Sequence, residues 1–340
     1  MRLATALCAL FYLVVFVKAG TFLPEFIFRD ADKIQAQMTG ASTYDGTSFD
    51  AVAGIYGWFG PTLLNVLIAV TGVLFIHTML SRANRLGLFA AAWVLCVPCV
   101  FFNLFVASKD TLVVLMSLLI VWAARRQRAW FAPVVAASLY IGYALLVRRY
   151  FLLIVALACG IALFRRASTR WKIVLAIASM GTIFVLPDVV YFALLHPRDM
   201  AVDYLTYQSP FGARTSFYNP LEPTSFVAFC VDYLYASARL NLALLFSPGL
   251  KELAMQLFVG LAVLPALRGA PRRLGVAQRV ARETCACLLL AHIGVSMLFE
   301  PDLGSYIRHL SSVTLFAMVL LHGGYADDAL RRSSARGCLS

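Results

Sequence analysis

Residues 86–124 read LGLFAAAWVLCVPCVFFNLFVASKDTLVVLMSLLIVWAA, and this stretch decides the fold class. A helix that spans a bilayer needs about 20 mostly apolar residues, so the stretch has room for two crossings with almost no connecting loop. Its only charged residues, Lys109 and Asp110, fall near the middle and follow Ser108. The pattern therefore predicts two membrane helices joined at an outer tip formed by Ser108, Lys109 and Asp110.

The composition of the whole chain agrees with a membrane environment. Of its 340 residues, 61% are hydrophobic and only 14% are charged, whereas a soluble domain carries roughly a quarter charged residues. This composition excludes a water-soluble enzyme, because too few polar side chains remain to cover a water-facing surface. The net charge of +12 does not indicate nucleic acid, since basic residues in a membrane protein mostly mark cytoplasmic loops.

Apolar runs of spanning length recur along the chain. We predict an all-α, polytopic transmembrane helical bundle of about ten spans that forms one integral membrane domain over residues 1–340. The predicted spans are 3–23, 61–80, 86–107, 111–124, 129–147, 150–164, 173–195, 253–267, 284–299 and 310–322.

The distribution of basic residues predicts the orientation. With both termini cytoplasmic, 18 of the 29 basic residues fall inside, among them the basic loop 268–282. Residues 24–60 and 196–223 then form two long outer loops. Residues 224–246 contain Asp232 and Arg239, and a crossing there would export the basic loop. We therefore predict that 224–246 lies at the outer interface as an amphipathic or re-entrant helix.

Two acidic residues, Asp30 and Asp32, come directly after the first span. Carboxylates two residues apart can hold a divalent cation, or one can act as a general base while its neighbour's charge raises its pKa. The alternative is that they are ordinary loop acids without a role. A Mg²⁺ or Mn²⁺ ion at Asp30 and Asp32 is thus one hypothesis, and no other cofactor is predicted.

Three predicted outer tips carry basic residues, although basic residues are usually enriched in cytoplasmic loops. They are Lys109, the pair Arg148 and Arg149, and Arg308. Ionisable groups close to the hydrocarbon boundary are costly and usually face a cavity or a partner. Because arginine presents a fork that suits phosphate, the tips predict a bound anion, such as the phosphate of a lipid-linked substrate. The alternatives are that Lys109 pairs with Asp110 and that the arginines reach towards lipid headgroups.

Four short motifs together resemble bacterial polytopic glycosyltransferases of the C-type superfamily and the related polymerases of cell-surface polysaccharide. They are Arg-Asp-Ala-Asp at 29–32, Ala-Ser-Lys-Asp-Thr at 107–111, Val-Arg-Arg-Tyr-Phe at 147–151 and Gly-Ser-Tyr-Ile-Arg-His at 304–309. The order of these elements covers most of the chain. The last motif departs from the family pattern, which often has prolines after an Arg-Tyr step. No stretch resembles the large outer domain of many members, so a compact polymerase or single-sugar transferase is expected.

The resemblance implies a multi-pass protein of the cell inner membrane whose active face is periplasmic or extracellular. Its donor would be a sugar or oligosaccharide on polyprenyl phosphate or diphosphate, transferred to an acceptor hydroxyl during exopolysaccharide or other surface-polysaccharide assembly. Lys109, Arg148, Arg149 and Arg308 would bind the phosphate, Asp30 or Asp32 would be the catalytic base with His309 as an alternative, and Tyr204, Tyr207, Phe217 and Tyr218 would stack on sugar rings.

Two other classes of function fit the same pattern. One is a transporter or flippase of an anionic or lipid-linked solute, and the other is a non-catalytic subunit of a polysaccharide export complex. For the glycosyltransferase interpretation, the expected partners are a lipid-linked sugar substrate, the membrane and other polysaccharide assembly proteins, and no nucleic acid is expected.

Overall fold

The structure, a computed structural model, describes residues 2–126, 128–209, 215–271 and 273–322. Every regular element in these residues is a helix, so the all-α prediction is confirmed. In chain order the helices are α1 (Arg2–Val17), α2 (Ala19–Phe22), α3 (Arg29–Met38), α4 (Ser48–Gly57), α5 (Gly60–Leu80), α6 (Leu86–Asn103), α7 (Lys109–Ala124), α8 (Phe131–Leu146), α9 (Phe151–Arg166), α10 (Thr169–Phe184), α11 (Asp188–Asp203), α12 (Phe226–Asn241), α13 (Ala243–Phe246), α14 (Leu250–Leu267), α15 (Val276–Phe299), α16 (Leu303–Ser311) and α17 (Thr314–His322).

The chain divides into two compact units, where the sequence predicted one domain. The first unit comprises Met1–Val155, Leu261–Leu289 and Ser311–Ser340, and the second comprises Ala156–Gly260 and Leu290–Leu310. The predicted outer loop 196–223, the predicted cytoplasmic loop 268–282 and the predicted cytoplasmic C-terminus each include residues outside the described ranges, namely 210–214, 272 and 323–340.

Several helices are long and apolar enough to cross a membrane. Among the described residues, four meet this description, namely α5, α6, α14 and α15, and the number rises to six if each of two bent helix pairs counts as one span. Other predicted spans form shorter helices, such as α1, α7, α8 and α9 with 16 residues each. A 16-residue helix rises about 24 Å, less than the roughly 30 Å of a hydrocarbon core.

The span predicted over 173–195 is not one straight helix. It breaks into α10 and a second helical segment, Asp188–Gln208, with a bend of 90° between them. Pro187 is the N-cap of α11, and a residue that precedes proline is disfavoured in the α conformation, which ends α10 before it. Helix α11 then continues to Asp203, well inside the segment predicted as an outer loop.

The predicted outer loop 24–60 is largely helical within the first unit. Helices α3 and α4 pack against each other, and α4 also contacts α5 and α7. The buried core of this region consists of Ile34, Val52, Ala53, Tyr56, Leu64 and Ile68, with Ala107, Leu112 and Val147 packed against it. The apolar side chains of α3 and α4 therefore attach this segment to both hairpin tips that carry Lys109 and Arg148.

Helices α1 and α5 of the first unit pack closely against each other. A Cβ at Gly72 would lie 2.2 Å from the ring of Tyr12, so only glycine fits there. The Tyr12 hydroxyl donates a hydrogen bond of 2.7 Å to the Leu104 carbonyl oxygen. This bond anchors the segment that leads from α6 to Ser108.

Candidate functional site

The first turn of α7 is held by a reciprocal cap. The Ser108 hydroxyl accepts from the Thr111 backbone N–H at 3.2 Å, and the Ser108 N–H donates to the Thr111 hydroxyl at 3.1 Å. Thr111 also donates to the Asn103 carbonyl oxygen at 2.7 Å. Such a box satisfies the free N–H groups of a helix start. It places the start of α7 directly after Ser108, so that Lys109 and Asp110 lie in the first turn of the helix.

Asp110 forms an ion pair with Arg148 across the two hairpin tips of the first unit. The distance from Arg148 Nη1 to Asp110 Oδ1 is 3.4 Å, and the two side chains are only 11% and 2% exposed. Arg148 Nη1 also donates to the Tyr150 hydroxyl at 2.9 Å. Burial alone would lower the pKa of Arg148, but the neighbouring tyrosines and carboxylates raise it above its ordinary value. The guanidinium group therefore remains cationic although it is buried.

Lys109 is buried beside an aromatic ring. Its side chain is 6% exposed, and Nζ lies 3.4 Å from the Ser48 hydroxyl and 3.4 Å from the centroid of the Phe49 ring. The ammonium group of Lys33 lies 5.1 Å from the same ring. Contacts of this kind stabilise desolvated cations through the ring quadrupole. Helix α4 thus supplies part of the environment that surrounds the Lys109 ammonium group.

The two acids after the first span occupy different environments. Asp30 is 8% exposed, and its charge contributes to the raised pKa of Arg148. Asp32 is exposed, and partial desolvation raises its pKa. Both lie in the first turn of α3, where residues two apart do not face each other. The arrangement does not favour a cation shared by both carboxylates, and the described residues include no group of three or more His, Cys, Asp and Glu suited to a metal.

We call Asp30, Lys109, Asp110 and Arg148 the hairpin-tip cluster. Two tyrosines that the sequence did not assign to a site hold its backbone: the Tyr56 hydroxyl donates to the Ser108 carbonyl oxygen at 2.8 Å and the Tyr143 hydroxyl to that of Lys109 at 3.2 Å. Tyrosines in apolar helices give no signal of these contacts, because the partners are distant in sequence.

Arg149 does not share the environment of its neighbour. It is exposed, whereas the Arg148 side chain is only 11% exposed and pairs with Asp110. The sequence predicted that both bind phosphate, but only Arg148 lies in the hairpin-tip cluster.

The second unit contains a buried carboxylate that the sequence also failed to single out. Glu300 is 1% exposed. Its Oε1 is hydrogen-bonded to His309 Nδ1, and its Oε2 accepts from the Ser305 hydroxyl at 2.6 Å. Burial alone would raise the pKa of Glu300, but the His309 imidazole and the Ser305 hydroxyl lower it below its ordinary value. This contact orients the imidazole that was predicted as an alternative base.

The third predicted tip, residues 300–309, is mostly helical rather than a loop. Asp302 Oδ1 accepts from the Ser305 N–H at 3.0 Å at the start of α16, so Arg308 and His309 lie within this helix. The charge of Arg308 lowers the pKa of both Glu300 and Asp302 below what burial alone would give. Arg308 therefore interacts electrostatically with carboxylates of its own unit.

Arg198 is a second residue of this unit that was missed. Its side chain is fully buried, and its Nε donates to the Glu300 carbonyl oxygen at 3.2 Å and Nη1 to Asn219 Oδ1 at 2.6 Å. Nη2 donates to the Met297 carbonyl oxygen. Arg198 thus joins α11 to the end of α15 beside Glu300. The only sequence signal was an arginine just beyond an apolar run, and this was interpreted as the start of a loop.

The four predicted sugar-binding aromatics do not share one environment. Tyr204, Tyr207 and Tyr218 are exposed, and the Tyr218 hydroxyl donates to Asp203 at 2.9 Å. Phe217, in contrast, is 6% exposed and packs between guanidinium groups, with Arg198 at 5.1 Å and Arg239 at 5.4 Å from its ring centroid. That Phe217 stacks on a sugar ring stays a prediction, as it does for the three tyrosines.

The predicted site residues fall in both units. Asp30, Asp32, Lys109, Arg148 and Arg149 belong to the first, while Arg308, His309 and the four aromatics belong to the second. In the first unit, Arg148 pairs with Asp110 and interacts electrostatically with Asp30, and Lys109 directly precedes Asp110. In the second unit, His309 and Arg308 both interact with Glu300. That all three basic tips converge on one pocket stays a prediction.

Comparison of the chain with protein-family models finds no match, and comparisons with curated proteins and with solved structures find none either. A functional hypothesis therefore rests on the four sequence motifs, on the geometry of the hairpin-tip cluster and on that of the residues around Glu300.

Proposed function

We propose that the chain is a multi-pass membrane glycosyltransferase or polymerase that moves a sugar or oligosaccharide from polyprenyl phosphate or diphosphate to an acceptor hydroxyl. The observation that carries the proposal is the hairpin-tip cluster, where Lys109 is 6% exposed and the Arg148 side chain 11% exposed, beside the ends of apolar helices. Burying two cations is costly, and a purely structural role does not require it at two adjacent tips. A dianionic phosphate is a suitable ligand for such a pair.

The cluster suits a reaction whose leaving group is an anion. The acceptor oxygen forms a bond to the anomeric carbon while the bond from that carbon to the phosphate oxygen breaks, and the acceptor proton passes to a carboxylate. Asp30 is the proposed base, and Lys109 and Arg148 stabilise the negative charge that develops on the departing phosphate. Arg148 contacts Asp110 and Tyr150 through Nη1 alone, and in the proposed complex its other nitrogens bind the phosphate.

An apolar cavity in the same unit supports a lipid donor. It lies between α1, α5 and α6, has a volume of about 480 Å³, and its walls include Leu7, Phe11, Tyr12, Trp93, Phe101 and Phe105. Because Tyr12 bonds to the Leu104 carbonyl oxygen, the cavity wall is joined to the segment that leads to Lys109. An isoprenoid chain in this cavity would bring its phosphate towards the hairpin-tip cluster.

The membrane arrangement is part of the proposal. We propose about ten spans in the cell inner membrane, cytoplasmic termini, and a periplasmic or extracellular face that carries Lys109, Arg148 and Arg149, with residues 224–246 at the interface. Single cysteines at exposed Arg149 and exposed Arg126, in a background without native cysteines, test this. A membrane-impermeant maleimide should label position 149 and not 126 in intact cells, and the reverse pattern would contradict the orientation.

The test of activity compares two adjacent arginines. Arg148→Ala should reduce transfer from a polyprenyl-linked donor by 10²-fold or more, the usual effect of removing one preorganised charge-stabilising donor. Arg149→Ala is the matched control and should retain transfer. Transfer is measured with membranes of the native host as the source of donor and acceptor, and as polysaccharide length on gels.

The alternative functions give different results in this test. The contacts of Arg148 Nη1 with Asp110 and Tyr150 also fit a non-catalytic role, and normal polysaccharide from a stably inserted Arg148→Ala protein would establish that role instead. Uptake of a labelled anionic solute by proteoliposomes without a new glycosidic bond would indicate a transporter. Asp30→Asn and His309→Gln distinguish the two proposed bases, since only the base should be needed for transfer.

A further inference from the structure

A cavity at the opposite end of α7 is lined by four arginines of the first unit. Its volume is about 390 Å³, and Arg82, Arg125, Arg126 and Arg282 all contribute to its wall. It lies beyond the last residues of α5 and α7, beside α15 and α17. Because α7 has 16 residues and rises about 24 Å, this arginine pocket is separate from the hairpin-tip cluster.

Two of the arginines are held in place by their neighbours. Arg282 donates to the carbonyl oxygens of Val319 at 3.3 Å and Leu320 at 3.0 Å, near the end of α17. The guanidinium group of Arg126 lies 4.5 Å from the centroid of the Trp122 ring. Arg82 and Arg125 are exposed, while the apolar part of the wall includes the buried residues Leu315 and Met318. The pocket thus has a fixed apolar base and a cationic rim.

The charges that line the pocket all have one sign. None of the 14 described residues of its wall is acidic. Burial and the charge of Arg82 lower the pKa of Arg125 below its ordinary value, so the two guanidinium groups repel each other. The ends of α5, α7 and α17 each contribute roughly −0.5 of a charge at a helix C-terminus. Three such ends offset only about −1.5 of the charges of Arg82, Arg125 and Arg126, which leaves an excess of about +1.5 on these three arginines among the described residues of the wall.

We propose that the arginine pocket binds a phosphate group, either of a soluble phosphate compound or of an anionic lipid headgroup, at the face opposite the proposed transfer site. A phosphate relieves the repulsion between Arg82 and Arg125, and a guanidinium fork can donate two parallel hydrogen bonds to it. The volume of the pocket is within the usual range of roughly 300–1,000 Å³ for small-ligand sites. The proposal does not depend on the transfer reaction.

The test uses the full-length protein and inorganic phosphate as the first probe. Thermal unfolding in detergent micelles should shift upward with phosphate in a saturable manner. The double variant Arg82→Gln/Arg125→Gln should bind phosphate at least tenfold more weakly, and Arg166→Gln, an exposed arginine outside the pocket, should behave as the native chain. If the double variant does not give a monodisperse protein, Arg82→Gln alone replaces it.

A second arm distinguishes the source of the phosphate. The protein is placed in nanodiscs of phosphatidylcholine with and without phosphatidylglycerol. An upward shift with phosphatidylglycerol that the pocket variants abolish supports a lipid headgroup, while a shift with soluble phosphate supports a soluble ligand. Equal binding by the native and pocket-variant proteins in both arms, or no binding in either, would overturn the proposal.

Discussion

The two ends of α7 carry similar charges in opposite environments. At its start, Lys109 and Asp110 are buried, and Asp110 is paired with Arg148. At its end, Arg125 and Arg126 are exposed beside a cavity whose described wall has no carboxylate. A buried cation must have a partner within the protein, whereas an exposed one can leave its partner to solution. The start of α7 is thus a preorganised cluster of paired charges, whereas its end borders the arginine pocket that we propose binds an external anion.

The largest expected effect comes from removing the buried carboxylate at the start of α7. Asp110→Asn leaves Arg148 buried without its ionic partner, and breaking one side of a buried ion pair typically costs about 3–5 kcal/mol. We expect a large loss in the free energy of unfolding, measured by thermal denaturation in detergent.

The matched control for this change is Asp32→Asn on α3. Asp32 is exposed, and exposed substitutions usually change stability by within about 0.5 kcal/mol. If both variants unfolded at the same temperature, the pair of Asp110 and Arg148 would not be a buried ion pair under these conditions, and the contrast between the two ends of α7 would fail.

Only part of the hairpin-tip cluster could be predicted from the sequence. Lys109 and Arg148 were found because a basic residue at an outer tip conflicts with the orientation rule, which is a local signal. The pairing of Arg148 with Asp110 joins residues 38 apart in sequence, and no local pattern selects it over Lys109 with Asp110. The tips themselves were predictable, since helix length and the Ser108 cap are encoded nearby.

Other features depended on contacts that no pattern shows. Glu300 was assigned to a connecting loop, but Ser305 and His309 bond to its carboxylate and Arg198 donates to its backbone carbonyl. The break before α11 was readable from Pro187, yet the apolar run across it favoured one continuous span. Hydropathy along the sequence indicates whether a segment is surrounded by apolar groups or by water. It does not show where a helix bends or which buried polar groups contact each other.

The buried carboxylate of Glu300 extends the comparison to the second unit. Glu300→Gln replaces an ionised acceptor of His309 and Ser305, and we expect a loss of about 1–3 kcal/mol at neutral pH. The pKa of Glu300 is lowered in the folded chain. Its contribution is therefore fully present above about 4.5, the ordinary value, and is lost as the pH falls through the lower folded value.

The measurement is the unfolding temperature of both proteins as a function of pH. The native chain should lose stability as the pH falls below about 4.5, and the variant should show a flatter acid limb because it has no carboxylate to protonate there. Parallel acid limbs in the two proteins would mean that Glu300 does not have a lowered pKa.

A smaller effect is expected where a neutral hydrogen bond supports the charged start of α7. Tyr56→Phe removes the hydroxyl that donates to the Ser108 carbonyl oxygen and keeps the ring in the core. The expected loss is about 1 kcal/mol, the usual net value of such a bond. Tyr44→Phe serves as the control, since its ring lies in the same segment. An equal effect of both changes would mean that the bond does not hold the tip.

The smallest expected effect has the opposite sign and lies at the other end of α7. Arg82→Gln removes a like charge beside Arg125, so in low salt without phosphate it should stabilise the protein by about 0.3 kcal/mol. The gain should shrink at 1 M NaCl, because salt screens exposed charges, whereas the loss caused by Asp110→Asn should persist. Unfolding temperatures at two salt concentrations give both quantities. If Arg82→Gln were destabilising in low salt, Arg82 would have a partner inside the protein, and the C-terminal end of α7 would resemble the paired N-terminal end.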